Sequence, residues 1–334
     1  MDIINAGIIG LGVGEQHILG YKSHPNSKVT MLCDFSEKKL EQYRIKYPKL
    51  KMTDKADDVL ENPDIDIVSI ASYDNYHYIH IMKALKNGKH VFVEKPLCLY
   101  EKEAIEIRKY LNNHPNLKLT SNLIMRKYPR FEYLKKMIKD DKFGDIFYVE
   151  GDYNYGRIHK ILDGWRGKLD FYSVIYGGAV HLVDLIIWLT GKNVMEVFTY
   201  GNKIITKNSN FKYNDFSVSL LKFNDQSNAK ITSNFGCVFP HFHGLSIYGS
   251  KATFINDFEY GKLFKSRNQS ETFEKINIQY KSNNKGELVY DFVDSIVNNK
   301  KPIVSIDDVF NTTSVCFTME KSMKTGKPEN VKYI

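Results

Sequence analysis

Over roughly the first 120 residues, short β-branched apolar runs alternate with stretches whose apolar positions fall three and four apart. Alternating or unbroken apolar runs mark strands, and three-to-four spacing marks one face of a helix. Their succession predicts parallel strands joined by crossover helices. Strands are expected at Ile3–Ile9, Val29–Cys33, Ile65–Ala71, His90–Val93 and Leu117–Ser121. Helices are expected at Gln16–Ser23, Glu37–Lys46, Tyr76–Asn87 and Glu101–Leu111. The run Ile65–Ala71 is apolar with few interruptions, as in a strand covered on both faces, which makes it central.

Beyond Ser121 the pattern changes to a helix at Arg130–Lys139, a strand at Ile146–Tyr155 and an apolar helix around Ala179–Leu189. Alternating stretches such as Phe216–Phe223 and Ala229–Phe235 follow, punctuated by turn signals at Asn224-Asp225 and Gly249-Ser250. That is the signature of an antiparallel sheet with helices on one face. Helical periodicity returns from Glu287 to Lys324. The expected fold class is therefore α/β, with a dinucleotide-binding domain of Rossmann type over residues 1–121. An α+β domain with a largely antiparallel open sheet, serving substrate binding and oligomerisation, is expected over 122–334, its final helix packing back on the first.

The length of 334 residues suits two such domains. With 43% hydrophobic and 26% charged residues, extended disorder is excluded. The net charge of +8 comes from lysines interspersed with acidic residues, which argues against a nucleic-acid partner and favours an anionic cofactor and substrate. No basic leader and no apolar run of bilayer length are visible, so a cytoplasmic protein without membrane contact is expected. Four dispersed cysteines form neither a disulfide framework nor a thiolate zinc pair. The open sheet suggests a homodimer or homotetramer.

Gly10-Leu11-Gly12-Val13-Gly14 follows the first strand and opens a helix, a context in which backbone amides and the helix dipole bind pyrophosphate. The third glycine comes one residue earlier than in G-x-G-x-x-G, so the motif alone is weak. Asp34 ends the second strand some 20 residues on, where a carboxylate accepts from the adenosine ribose hydroxyls and repels a 2′-phosphate. NAD is expected over NADP, although Lys38 and Lys39 soften the preference. The structural alternative for Asp34 is a cap for the following helix.

Three segments resemble the Gfo/Idh/MocA family of sugar-type oxidoreductases. They are the glycine loop with His17; Ala71-Ser72-Tyr73-Asp74-Asn75-Tyr76-His77 followed by Gly88-Lys89-His90-Val91-Phe92-Val93-Glu94-Lys95-Pro96; and Gly177-Gly178-Ala179-Val180-His181-Leu182-Val183-Asp184 running into Trp188-Leu189-Thr190-Gly191. The resemblance implies NAD contacts from Gly10, Gly12, Val13, Gly14, Asp34, Ser72, Tyr73, His77, Glu94 and Lys95. It also implies catalytic roles for Lys95 and His181. Tyr73 stands where the family usually has proline, and Gly177 where it has a catalytic aspartate four residues before the histidine. Tyr176 is a candidate replacement.

Oxidising a secondary alcohol requires a group that takes the hydroxyl proton, and a desolvated lysine beside positive charge serves. Lys95 follows a strand at the carboxyl edge where ligands bind in open α/β sheets. His181 begins an apolar helix, and Asp184 shares its face. Tyr155, Arg166, Tyr176, His181, Asp184 and His241 are the expected substrate contacts, with Tyr153, Arg157, His159 and His243 nearby in the pattern. Tyrosines and arginines together suit a sugar ring bearing a carboxylate or phosphate, such as a nucleotide sugar or sugar acid. Competing readings are a zinc site built from His241, His243, His181 and Asp184, an NAD-dependent glycosidase of the same fold, and a non-catalytic NAD-binding regulator. No metal is expected in the favoured reading.

Overall fold

The computed structural model describes residues 3–281 and 286–334, which fall into two compact units. One runs to Ile124 and resumes from Gly286 to Phe310, with Ile334. The other runs from Met125 to Lys281 and from Asn311 to Tyr333.

The first unit is a parallel sheet of β1 (Ile4–Ile9), β2 (Ser27–Cys33), β3 (Lys51–Thr53), β4 (Ile67–Ile70), β5 (His90–Val93) and β6 (Leu119–Ser121). Their order is β3-β2-β1-β4-β5-β6. The connections carry α1 (Gly14–Ser23), α2 (Glu37–Lys46), α3 (Ala56–Leu60), α4 (His77–Lys86) and α5 (Glu101–Asn113). Every residue of β4 is buried, as its unbroken apolar run predicts. Burying Ile67, Val68 and Ile70 contributes about 1.5–3 kcal/mol each. The chain builds outward from β1 in one direction, then from β4 in the other, so the switch point lies between them, where open α/β sheets bind ligands. The short β3 and α3 are additions to the sequence reading, because three and five residues are too few to display a period.

In the second unit, α6 (Pro129–Lys139), α7 (His159–Leu162) and α8 (Val180–Thr190) accompany a nine-stranded sheet. Its strands are β7 (Ile146–Asn154), β8 (Val194–Asn202), β9 (Phe216–Phe223), β10 (Asn228–Asn234), β11 (Phe242–Gly249), β12 (Thr253–Asn256), β13 (Gly261–Phe264), β14 (Glu274–Ile276) and β15 (Glu329–Asn330). The order is β14-β13-β12-β11-β7-β10-β9-β8-β15. The sheet is mixed: β7 and β10 pair in parallel, and the other pairs are antiparallel. The long excursion through α7, α8 and the β8–β9 hairpin lets β10 enter beside β7 in the same direction. Along β10, buried Ala229, Ile231 and Ser233 alternate with partly exposed residues, so one sheet face carries the core.

Two further helices, α9 (Glu287–Val297) and α10 (Ile306–Thr325), precede β15 in the chain. Within the first unit α9 packs on α1 so closely that a Cβ on Gly20 would meet the Val289 Cβ at 2.6 Å. Among the described residues no helix is long and apolar enough to cross a membrane.

Candidate active site

In the first unit the three loop glycines have different physical duties. Gly10 adopts φ +91°, and a Cβ there would lie 2.2 Å from the Ala71 carbonyl oxygen, so only glycine makes the turn out of β1. A Cβ on Gly12 would meet nothing within 4 Å, which leaves its backbone open to approach. Gly14 starts α1 with space for only light contact, 3.0 Å from Ile8 and 3.2 Å from Ala71. A turn, an open approach and a tightly seated helix start are what a pyrophosphate cradle needs, so these residues fit NAD.

Asp34 is buried at the end of β2 and holds that loop in place. Its Oδ2 accepts from the Leu11 amide at 2.8 Å and from Lys39 Nζ at 3.1 Å, and its Oδ1 accepts from the Ser36 amide at 3.0 Å. The Ser36 bond is the local turn expected of the capping alternative, but the Leu11 bond reaches across 23 residues to the glycine loop. Two carboxylate oxygens offer about four acceptor sites, so capacity remains for a ribose hydroxyl. Beside it Phe35, largely exposed, meets the Tyr73 ring edge-on at 5.5 Å.

Lys95 follows β5 and is half-buried. The backbone on both sides of it is fixed. Glu94 accepts from His17 Nε2 at 3.1 Å and from Asn122 Nδ2 at 2.6 Å. Burial pushes the Glu94 carboxyl up, but the His17 bond and charge, the Asn122 bond and the Lys95 charge outweigh it and hold it below the usual carboxylate range. His77 is fully buried, with Nδ1 2.7 Å from the Pro96 carbonyl and Nε2 3.1 Å from the Ser72 carbonyl. It thus ties the Lys95 turn to the turn after β4. Ser72 Oγ pairs with His80 Nδ1 at 3.1 Å. Val13, at the loop apex before α1, is exposed.

In the second unit an aromatic and imidazole cluster gathers at the ends of β7, β10 and β11 and the start of α8. Tyr153 stacks with Tyr155 at 5.9 Å and with His181 at 6.1 Å, and meets the rings of His241 at 5.4 Å and His243 at 5.3 Å. His241 Nε2 lies 3.4 Å from the Tyr153 hydroxyl. Burial drives the Tyr153 phenol well above its ordinary pKa, while the charges of Arg166 and Arg157 act in the opposite sense. Arg157 also covers the Tyr155 ring, and Arg166 the Trp165 ring. His159, at the start of α7, is exposed. Tyr176 is buried edge-on against Phe171 and Phe317.

His181 is presented by a local feature absent from the sequence reading, a π-helical turn at Ile175–Ala179 leading into α8. Ser173 Oγ accepts from the Ile175 amide at 3.0 Å and donates to the buried Glu320 carboxylate. A Cβ on Gly178 would strike the Tyr153 ring at 2.5 Å, so this glycine admits the ring to the helix backbone.

Asp184 has a partner the sequence did not disclose. The Arg126 guanidinium grips it through Nε at 3.1 and 3.0 Å and through Nη2 at 2.6 Å, and Thr312 Oγ1 lies 3.4 Å away. Both charged side chains are at most 2% exposed. Asp184 is thus a member of a buried ion pair, rather than an open carboxylate awaiting a substrate hydroxyl. Among the described residues no group of three or more His, Cys, Asp or Glu is arranged to hold a metal ion, and the zinc alternative finds no support in the imidazole cluster.

Family models match both parts of the chain. Residues 4–121 match the oxidoreductase family model described as an NAD-binding Rossmann fold, and residues 131–255 match the GFO/IDH/MocA C-terminal domain. The inositol 2-dehydrogenase/D-chiro-inositol 3-dehydrogenase of Lactiplantibacillus plantarum is 26% identical over 228 residues, 66% of this chain and 62% of that enzyme. The crystal structure of myo-inositol 2-dehydrogenase from Lactobacillus plantarum superposes with a TM-score of 0.84 at 22% identity, covering 99% of this chain and all of that one. Scyllo-inositol dehydrogenase from Lactobacillus casei, solved with NAD(H) and scyllo-inositol, gives 0.81 at 20% identity over 98% and 99% of the two chains. With the glycine cradle and the Glu94-Lys95-Pro96 turn in place, the chain belongs to the Gfo/Idh/MocA oxidoreductase family and carries its NAD-binding Rossmann fold.

Proposed function

We propose that the protein moves a hydride between NAD and a secondary alcohol or ketone of a sugar-like ring, with Lys95 as the acid/base. The carrying observation is the fixed turn around Lys95. It sits at the carboxyl edge of the sheet whose β1 end forms the glycine cradle, and its flanking residues are pinned by His17, Asn122 and His77. When bound, NAD supplies the acceptor for the carbinol hydrogen and its electron pair. Lys95 Nζ takes the hydroxyl proton as the carbon–oxygen bond becomes double, and returns it in the reverse direction. His181 donates to or accepts from a substrate hydroxyl, and Tyr155, His241 and Arg166 complete the polar contacts. In this assignment residues 1–121 serve the cofactor and 122–334 the substrate.

The inositol dehydrogenases among its relatives favour a neutral cyclic polyol or sugar. The charges of Arg157 and Arg166 acting on Tyr153 favour the second reading, a sugar acid or nucleotide sugar. A panel containing both classes, followed by NADH absorbance, separates them. Cleavage of a glycoside without net NADH would reassign the chain. Lys95→Ala should lower turnover by about 10²–10⁴ while leaving NAD affinity unchanged, and full activity in that variant refutes the assigned role. Assembly as a homodimer or homotetramer fits the side chains of Tyr200 and Leu220, which stand exposed on the sheet of the second unit, and sedimentation tests it.

A further inference from the structure

We infer that Tyr280 is a positioning residue that holds His243 as the neutral tautomer protonated on Nε2, and so sets the hydrogen-bond direction of the imidazole cluster. The inference rests on the reading of that cluster as the substrate-binding face.

Tyr280 lies after β14, far in sequence from β11, yet its hydroxyl meets His243 twice. The His243 backbone amide donates to it at 3.0 Å, and His243 Nδ1 lies 2.6 Å away. Among the described residues these are the partners of that hydroxyl. The amide has no choice but to donate, so the phenol oxygen accepts there. Its own proton then has Nδ1 as acceptor, which requires Nδ1 to carry a lone pair. A neutral imidazole with Nδ1 unprotonated bears its proton on Nε2. Were Nδ1 protonated, two donors would face the phenol oxygen and the phenol proton would lose this acceptor.

The arrangement is built rather than incidental. Arg130, fully buried on α6, donates to the Ile278 carbonyl at 2.9 Å and to Asn256 Oδ1 at 2.8 Å, and its guanidinium covers the Tyr280 ring at 5.6 Å. Asn256 Nδ2 in turn donates to the His243 carbonyl at 2.9 Å. One cation therefore fixes the segment bearing Tyr280 and, through Asn256, the backbone of His243. The groups around His243 are Tyr153, His181, His241 and Tyr128, with centroids 5.0–6.2 Å away. A proton held on Nε2 makes His243 a hydrogen-bond donor from that atom.

The test is long-range nitrogen NMR on protein labelled at histidine nitrogens, with His243→Gln used to assign the resonances. The wild type should show Nδ1 as the unprotonated nitrogen and Nε2 as the protonated one. Tyr280→Phe, which keeps the ring under Arg130, should abolish that preference. It should also lower kcat/KM for the alcohol substrate by about five- to tenfold, the loss of one hydrogen bond, with NAD affinity unchanged. A wild-type His243 protonated on Nδ1 overturns the proposal, as does a tautomer unaltered by Tyr280→Phe, whereas an altered tautomer with unaltered kcat/KM overturns the reading of the cluster as the substrate-binding face. The NMR arm needs no substrate, so failure of the sugar-like reading and failure of the tautomer assignment register separately.

Discussion

The Arg126–Asp184 pair offers a decisive perturbation, because Asp184→Asn is nearly isosteric, removes the charge and puts an NH2 donor in place of one of the two oxygens to which Arg126 donates. The guanidinium would keep its position at 2% exposure while losing the carboxylate that it contacts at 2.6, 3.0 and 3.1 Å. Breaking a buried pair from one side costs about 3–5 kcal/mol, because the remaining charge stays desolvated. For a unit of this size each kcal/mol shifts the melting temperature by roughly 2–4 °C, so a drop of about 6–20 °C is expected for the second unit's transition. Arg126→Met combined with Asp184→Leu removes both charges and should recover most of that loss. Differential scanning calorimetry and steady-state kinetics on the three variants distinguish the roles. A fully stable Asp184→Asn protein with collapsed kcat/KM would refute the structural assignment and return Asp184 to the substrate.

Asp34→Ala should weaken NAD binding more than it slows the chemical step, because it removes the proposed ribose acceptor and frees the Leu11 amide of the glycine loop; isothermal titration against single-turnover rates checks this, and unchanged affinity would contradict it. Burial, followed by the Lys118 charge, lowers His90 to about 4, and His90 Nδ1 accepts from the Lys118 amide at 3.0 Å, which requires that nitrogen unprotonated. Its contribution to stability is therefore full above the ordinary histidine value of about 6.5 and is lost as pH falls from there through about 4. His90→Asn should flatten the denaturation-midpoint profile in that window, and a profile superimposable on wild type would exclude His90 as the cause. Gly177→Asp should destabilise the protein by about 1–3 kcal/mol without raising turnover, since the new side chain meets the Tyr172 hydroxyl; a stable variant with higher kcat would show that the tyrosine can vacate.

What was readable in the sequence was whatever local pattern or turn chemistry determines. The alternation of apolar runs located β1, β2, β4, β5 and β6 within a few residues, and the Gly10 turn and the Asp34 position followed from spacing. Partners separated by long stretches of chain left no such trace. Arg126 and Arg130 belong to no recognisable motif, yet each is buried because Asp184, Asn256 and the carbonyls of Asp257 and Glu259 arrive from elsewhere. The parallel β7–β10 pairing depends on the path of an intervening excursion, which no period encodes. His77 stood out in the sequence as part of a motif, but its place between the Pro96 and Ser72 carbonyls depends on the turns after β4 and β5 coming together.

Gly177 shows the same division at a single position. The resemblance marks it as a missing carboxylate, which invites the idea of vacant room to be filled by Tyr176. The space is occupied: a Cβ at position 177 would lie 2.1 Å from the Tyr172 hydroxyl and 3.3 Å from the Phe235 ring. Tyr172 is itself buried, so no acidic side chain enters without expelling a ring from the core. The glycine is therefore required by its neighbour, and the two residues act as one packing unit five positions apart. The electrostatic consequence follows directly. One helical turn before His181 this chain presents the Tyr172 phenol where an aspartate would supply negative charge, so position 177 contributes no carboxylate to the surroundings of His181.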